Sequence, residues 1–373
     1  MPRVSVVIAS YNHERFVRQA VESVLGQTFG DIEVCITDDG SSDATPDIIA
    51  GIRDERVRFK RLERNSGISA ALNDAIRRSS GEFVAELNSD DYFLPDKIAI
   101  QVGVLESNPE VGAVFGFPAF IDNDGRAVAD DDTFYKGVFR ADNRTKAQWL
   151  KRFFYSGNCL CQPTSMIRRR CHDEIGLYDE RLAQVHDLDL YLRILGRYAI
   201  HVVPEALTMF RILSGEKNAS APKPAVNSRT RWETERVLRH YLTLDDVLFA
   251  EVFAEEIAEL GFGAGVPRAV QLGRIAVLSG TDAGRRFGLE LLYHATSAQN
   301  GPRQSAFTPK ELIALSGDLD LYFFGYRNEI LQALETQRRT IENLEARLGE
   351  RSTATGAQIQ PKSGWSSLWK RKS

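Results

Sequence analysis

The apolar positions of the first 125 residues follow two alternating patterns. Short apolar runs read as buried strands, VSVVIAS at 4–10 as a continuous β-branched run and EVCITDD at 33–39 as a second, and VRFKRLE at 57–63 and EFVAELN at 82–88 read as the third and fourth strands. Between them the apolar residues recur at helical spacing. In 14–27 they are Phe16, Ala20 and Val24, and the segments 44–54, 67–80 and 95–107 read the same way. Asp43 reads as the N-cap of the second helix, Gly81 as the stop of the third, and Pro95 as the first turn of the fourth, with Asp96 a further candidate cap. Repeated β-α units of this length predict a doubly wound, mostly parallel sheet.

Beyond this region the pattern is mixed. Residues 111–122 predict a strand leading into a hairpin turn at Asn123-Asp124-Gly125. Residues 187–198 predict a helix, and 199–212 one or two strands divided at Pro204. The expected organisation is a first domain over 1–213, a linker over 214–225 and a mainly helical region over 226–325. Ile330, Leu334, Gln337, Ile341, Leu344 and Leu348 then fall on an a/d register, so 326–350 reads as an amphipathic helix or a short coiled coil that could join two copies. The tail, 351–373, reads as disordered. Its two tryptophans and final cations leave peripheral contact with an anionic membrane as an alternative.

Composition narrows the class. The 373 residues are 43% hydrophobic and 26% charged, with a net charge of -4, which gives no electrostatic case for a nucleic-acid partner. No apolar run approaches the roughly 18–20 residues of a membrane span. The start, MPRVSVVIASYN, lacks a signal-peptide layout, and a cytoplasmic chain is expected, with peripheral attachment to the inner face of a membrane as the variant. The four cysteines, Cys35, Cys159, Cys161 and Cys171, have no standard zinc spacing and read as buried thiols.

Chemistry collects where the predicted parallel strands end, which is where open α/β sheets bind ligands. The ends carry Ser10-Tyr11-Asn12, Asp38-Asp39-Gly40-Ser41, Asn65-Ser66-Gly67 and Asn88-Ser89-Asp90-Asp91. No glycine-rich phosphate fingerprint follows the first strand, which disfavours a dehydrogenase or a P-loop enzyme. Adjacent like charges raise each other's pKa unless a positive charge sits between them. A hard divalent cation shared with substrate phosphates would supply that charge and stabilise a departing diphosphate.

The segments VSVVIASYN, ITDDGSSD, NSG and LNSDDYFLPDK, in this order and spacing, resemble the inverting family 2 glycosyltransferases with the GT-A fold over about residues 1–213. The resemblance implies a nucleotide site. Tyr11 would lie against the base, Asp39 would contact it, and Ala9, Asn65 and Gly67 would complete it. Asn88 takes the ribose slot, Asp90 reaches ribose and metal, and Asp91 holds the metal, expected to be Mg2+ or Mn2+. It further implies that Asp187 is the general base, with His186 standing where the family usually has glutamate. Asp187 also reads as a helix N-cap, and Asp189 is the competing base. Arg211 follows on the acceptor or diphosphate side, and Leu213 occupies the place of a metal-ligating histidine.

The expected activity is transfer of a sugar from a nucleotide-diphosphate donor, UDP favoured, to the hydroxyl of a glycan or lipid-linked acceptor in cell-surface polysaccharide or glycoconjugate assembly. Asn88, His186 and Leu213 leave a catalytically degenerate scaffold as the alternative, with a nucleotidyltransferase behind it.

Overall fold

The computed structural model describes residues 1–215, 218, 220–296, 307–319, 321 and 324–354. The chain runs β1 (Val4–Ser10), α1 (Val17–Leu25), β2 (Ile32–Asp38), α2 (Thr45–Ala50), β3 (Val57–Arg61), α3 (Ile68–Arg78), β4 (Phe83–Asn88), β5 (Tyr92–Phe93), α4 (Lys97–Ser107), β6 (Val111–Ile121) and β7 (Ala127–Val128). Then follow α5 (Lys146–Ser156), β8 (Met166–Arg168), α6 (Arg169–Ile175), α7 (His186–Leu195) and β9 (Ala199–Arg211). Seven helices complete it: α8 (Pro224–Val237), α9 (Asp246–Val252), α10 (Ala254–Leu260), α11 (Arg268–Leu278), α12 (Asp282–Ala295), α13 (Pro309–Asp318) and α14 (Phe324–Ala354).

The sheet has the order β3-β2-β1-β4-β8-β6-β9-β5, with β7 paired to β6. β3, β2, β1 and β4 are parallel; β8 is antiparallel to both β4 and β6; β6 and β9 are again parallel. Side chains alternate between two cores, as a strand's period of two requires. Val4, Val6 and Ile8 of β1, with Phe83, Ala85 and Leu87 of β4, pack on one side. Val7 and Val84 pack on the other, in a core shared with α5 and α7. Val237, Leu238, Phe249, Phe253, Leu272 and Phe287 of the helical region belong to that same second core. One compact unit runs from Met1 to Ile313 and a second from Ala314 onward.

Several local expectations change. The second helix starts at Thr45 with Ala44 at its cap position, and ends at Ala50, not near 54. Asp43 lies one residue further out, accepting from the backbone N–H groups of Thr45 and Glu14, so it ties two loops together. The fourth helix begins at Lys97, after Pro95, and Asp96 accepts from the Thr28 hydroxyl instead of capping. Residues 199–211 form one continuous strand through Pro204, which shifts register against β6 in that region. The turn after β6 is the expected hairpin, with Gly125 at φ 81°.

In α14 the seam residues Ile330, Leu334, Ile341 and Leu344 are 41–56% exposed in the single chain. The side chain of Leu348 and the tail from 355 onward lie outside the described residues. No helix among the described residues is long and apolar enough to cross a membrane.

Candidate active site

Strand register brings the predicted residues to one edge. Ser10 lies beside Asp38 in the β1–β2 ladder, and Ala9 lies beside Asn88 in the β1–β4 ladder. The loops after β1, β2 and β4 therefore leave the sheet together. Tyr11 is 44% exposed there, an aromatic face open to a ligand. Asp39 is buried and turned toward the start of α3: its two oxygens accept the Ser66 and Gly67 backbone N–H groups at 2.7 and 2.9 Å. Burial, and the neighbouring Asp38 charge, push its carboxyl up, while those two N–H groups pull it down. Gly40 enables the turn: it sits at φ 73°, and a Cβ there would meet the Arg64 backbone at 2.7 Å. Asn65 and Gly67 stay exposed beside Asp39.

Asp90 and Asp91 are both buried. Burial raises both carboxyls, and the Asp90 charge adds to the rise at Asp91, which lies well above the ordinary range. Asn88 donates to Asp91 Oδ2 at 2.9 Å, so its amide braces the second acid. His13, which the sequence reading passed over, contacts Ser89 at 2.7 Å, and its Nε2 lies 3.9 Å from Asp90 Oδ2.

Arg211 lies against the acidic loop. It is buried, its backbone N–H donates to Asp91 Oδ1 at 2.7 Å and its Nε to the Asp90 carbonyl at 2.8 Å. Its other nitrogens donate to the Asp122 carbonyl and to Gln19, and its guanidinium lies over the Phe16 ring. The side chain clamps the acidic loop. The short β5–β9 pairing of Tyr92 with Met209 fixes the same loop from its other end.

The acids fit a divalent cation by their chemistry. Two adjacent buried carboxylates repel, and the positive charge of Arg211 leaves Asp91 well above its usual range. Among the described residues no third His, Cys, Asp or Glu joins them as a ligand, consistent with Leu213 in the expected histidine's place. A magnesium-like ion completes such a shell with water and phosphate oxygens.

Asp187 is the second residue of α7, not its cap, which is Val185. Its Oδ1 accepts the Leu188 N–H at 2.7 Å and its Oδ2 accepts from Asn158 at 2.7 Å. Burial raises its carboxyl; the His186 side chain and these donors oppose the rise. Asp189 is engaged elsewhere, held by Arg193 at 2.6 Å and by His240 at 2.7 Å. Cys161 is a buried thiol. Burial pushes it up first, and the carboxylates of Asp91 and then Asp187 push it further, so both acids lie within electrostatic reach of one side chain.

A second buried network centres on Glu86. Glu86 lies two residues before Asn88, on the same face of β4. It accepts from the Tyr178 and Ser165 hydroxyls, and burial raises it to about 7. Tyr178 meets the His186 ring edge-on, and His186 reaches Gln162 at 3.3 Å. Asn158, Gln162, Tyr178 and Glu86 carry no motif; only their proximity in the fold marks them.

The family model for glycosyl transferase family 2 matches residues 5–176. TuaG of Bacillus subtilis, described as a glycosyltransferase of teichuronic acid biosynthesis, is 32% identical over 228 residues, spanning 60% of this chain and 84% of that one.

This chain belongs to glycosyl transferase family 2.

An uncharacterised glycosyltransferase of Methanocaldococcus jannaschii is 26% identical over 262 residues, 68% of this chain and 85% of its own. The crystal structure of residues 1–349 of Staphylococcus aureus TarS, in complex with UDP-GlcNAc, superposes with a TM-score of 0.55 at 20% identity, covering 80% of this chain and 88% of that one. The family 2 architecture here is thus the GT-A fold with a helical C-terminal region, and the protein is a glycosyltransferase.

Proposed function

We propose that this glycosyltransferase moves a sugar from a nucleoside-diphosphate donor to an acceptor hydroxyl with inversion at the anomeric carbon. The observation that carries the reading is the placement of Asp187: a half-buried carboxylate, oriented by Asn158, whose charge acts with that of Asp91 on the Cys161 thiol. The acceptor hydroxyl attacks from the face opposite the diphosphate and loses its proton as the bond forms. A carboxylate held within hydrogen-bond reach accepts that proton in the transition state. Its raised pKa makes it a stronger base than an ordinary aspartate.

On the donor side, Tyr11 offers its ring to the base and Asp39 holds the α3 start against it, with Ala9, Asn65 and Gly67 lining the approach. Asn88 is the ribose contact. A divalent cation, Mg2+ or Mn2+, held by Asp90 and Asp91, would neutralise the leaving diphosphate. UDP is the favoured nucleotide, as in the TarS complex. The TuaG relationship supports a setting in bacterial polysaccharide assembly.

The test is turnover of a panel of nucleotide sugars with Mg2+ or Mn2+, comparing wild type with Asp187→Asn. Product of inverted configuration that disappears in the variant supports the reading. Absence of turnover in wild type across the panel, with UDP still bound, favours the scaffold alternative.

A further inference from the structure

A cleft of about 530 Å3 lies along one face of α5, lined by Asn143, Arg144, Gln148, Lys151, Arg152 and Tyr155 among others. Its helical positions 148, 151/152 and 155 recur at the spacing that aligns side chains on one face, and Arg144 precedes the helix, next to its cap Thr145. Its floor is fixed, because Asn143 exchanges two hydrogen bonds of 2.7 Å with the Val202 backbone in β9. One wall is closed electrostatically. Lys151 pairs with Glu255 at 2.6 Å and with Glu256 at 3.2 Å, and Tyr155 donates to Glu256.

Two cations remain. Arg144 gives one nitrogen to the Asp142 carbonyl and lies over the Trp149 ring, 5.0 Å from its centroid. Arg152 has a nitrogen, Nη1, shielded from water and without a hydrogen-bond partner. An unpartnered, desolvated N–H of a charged group is costly, and an incoming anion would satisfy it. Asp142 is the one acid among the lining residues.

The cleft also leads to the base. α5 ends at Ser156, Gly157 turns the chain at φ 72°, and Asn158 follows with its amide on Asp187. Tyr155 and Asn158 are three residues apart, at most about 11 Å along an extended chain. Arg144 and Arg152 both act electrostatically on the thiol of Cys159, the next residue in that loop.

We propose that this cleft binds an anionic group, carboxylate or phosphate, on the acceptor glycan and so presents the acceptor hydroxyl to Asp187. It rests on the transferase reading for its purpose, but its binding can be measured alone. The experiment is calorimetric titration of the full chain at low salt with three probes of similar length: a uronic-acid oligosaccharide, a glycerol-phosphate oligomer and a neutral oligosaccharide.

The expected result is binding of at least one anionic probe, at least tenfold tighter than the neutral one. Arg152→Gln should weaken it at least fivefold, as should Arg144→Gln, which lies nearer the surface and guards against a folding defect at 152. Arg77→Gln, a cation on α3 paired with Glu180, should leave it unchanged. The tighter anionic probe identifies the group. Equal binding of the neutral probe, no binding of either anion, or equal loss in Arg77→Gln overturns the proposal. UDP binding is followed in parallel. Intact UDP binding without anion binding removes the cleft alone, and intact anion binding without UDP binding removes the UDP-donor reading alone.

Discussion

Asn158 donates its side-chain N–H to Oδ2 of Asp187 across 2.7 Å, and the same residue's Oδ1 accepts the Leu160 backbone N–H at 2.8 Å. The amide is therefore fixed in one orientation before it meets the carboxylate. It stabilises the charged form of a group that burial pushes toward neutrality. Asn158→Ala should raise the pKa of Asp187 further. In a pH–rate profile the base must be ionised, so the acid limb of kcat should move to higher pH in the variant. An unmoved limb with reduced kcat would mean that Asn158 only packs.

Removing the Asp187 carboxylate should be more severe. Asp187→Asn keeps shape and hydrogen bonding but cannot accept the proton. We expect kcat to fall by roughly 10²–10⁴-fold with donor affinity nearly unchanged. Asp189→Asn should instead lower thermal stability, because it breaks the contacts to Arg193 and His240.

Asp91 predicts opposite effects on stability and ligand response. In the metal-free protein, burial and Asp90 both disfavour its charge. Asp91→Asn leaves an oxygen for the Arg211 N–H and removes the repulsion, so the free protein should melt at a higher temperature. The same variant should lose most of the stabilisation that wild type gains from Mn2+ with UDP, a gain of about 2.7 kcal/mol when ligand is a hundredfold above its Kd. Differential scanning fluorimetry with and without chelator checks both halves.

Glu86 and Lys97 should give stability a minimum near neutral pH. Burial raises Glu86 from 4.5 to about 7, so the folded state binds the extra proton and stability falls as pH rises from 4.5 to 7. Burial lowers Lys97 from 10.5 to about 7, so the unfolded state binds the extra proton and stability rises from pH 7 to 10.5. The advantage of Glu86→Gln over wild type should therefore grow between pH 4.5 and 7, approaching about 3 kcal/mol by the size of the shift. Urea unfolding at stepped pH measures it, and a flat difference would place the charge on another group.

The exposed apolar seam of α14 bears on assembly. If 326–350 joins two copies, Leu334→Glu with Ile341→Glu should halve the mass seen in sedimentation without changing UDP binding. An unchanged mass would reduce the seam to a lone amphipathic helix.

By itself the sequence determined the α/β alternation, the strand ends and the acids on them, because a strand buried on both faces needs an unbroken apolar run. Its exposed-edge polar residues then collect where the run stops, as at Asp38-Asp39 and Asn88-Ser89-Asp90-Asp91. The tertiary structure decided which polar residues act on one another. Arg211 became a clamp because β9 pairs with β5, which holds its guanidinium behind the acidic loop. Asp187 was separated from Asp189 because one helical position faces Asn158 and the other faces Arg193 and His240. Asn158, Glu86 and Tyr178 left no trace in any local pattern. Their contacts span 29 to 92 residues of chain, and an interaction at that separation is set by the packing of α5, α7 and β4, not by the neighbours of any one residue.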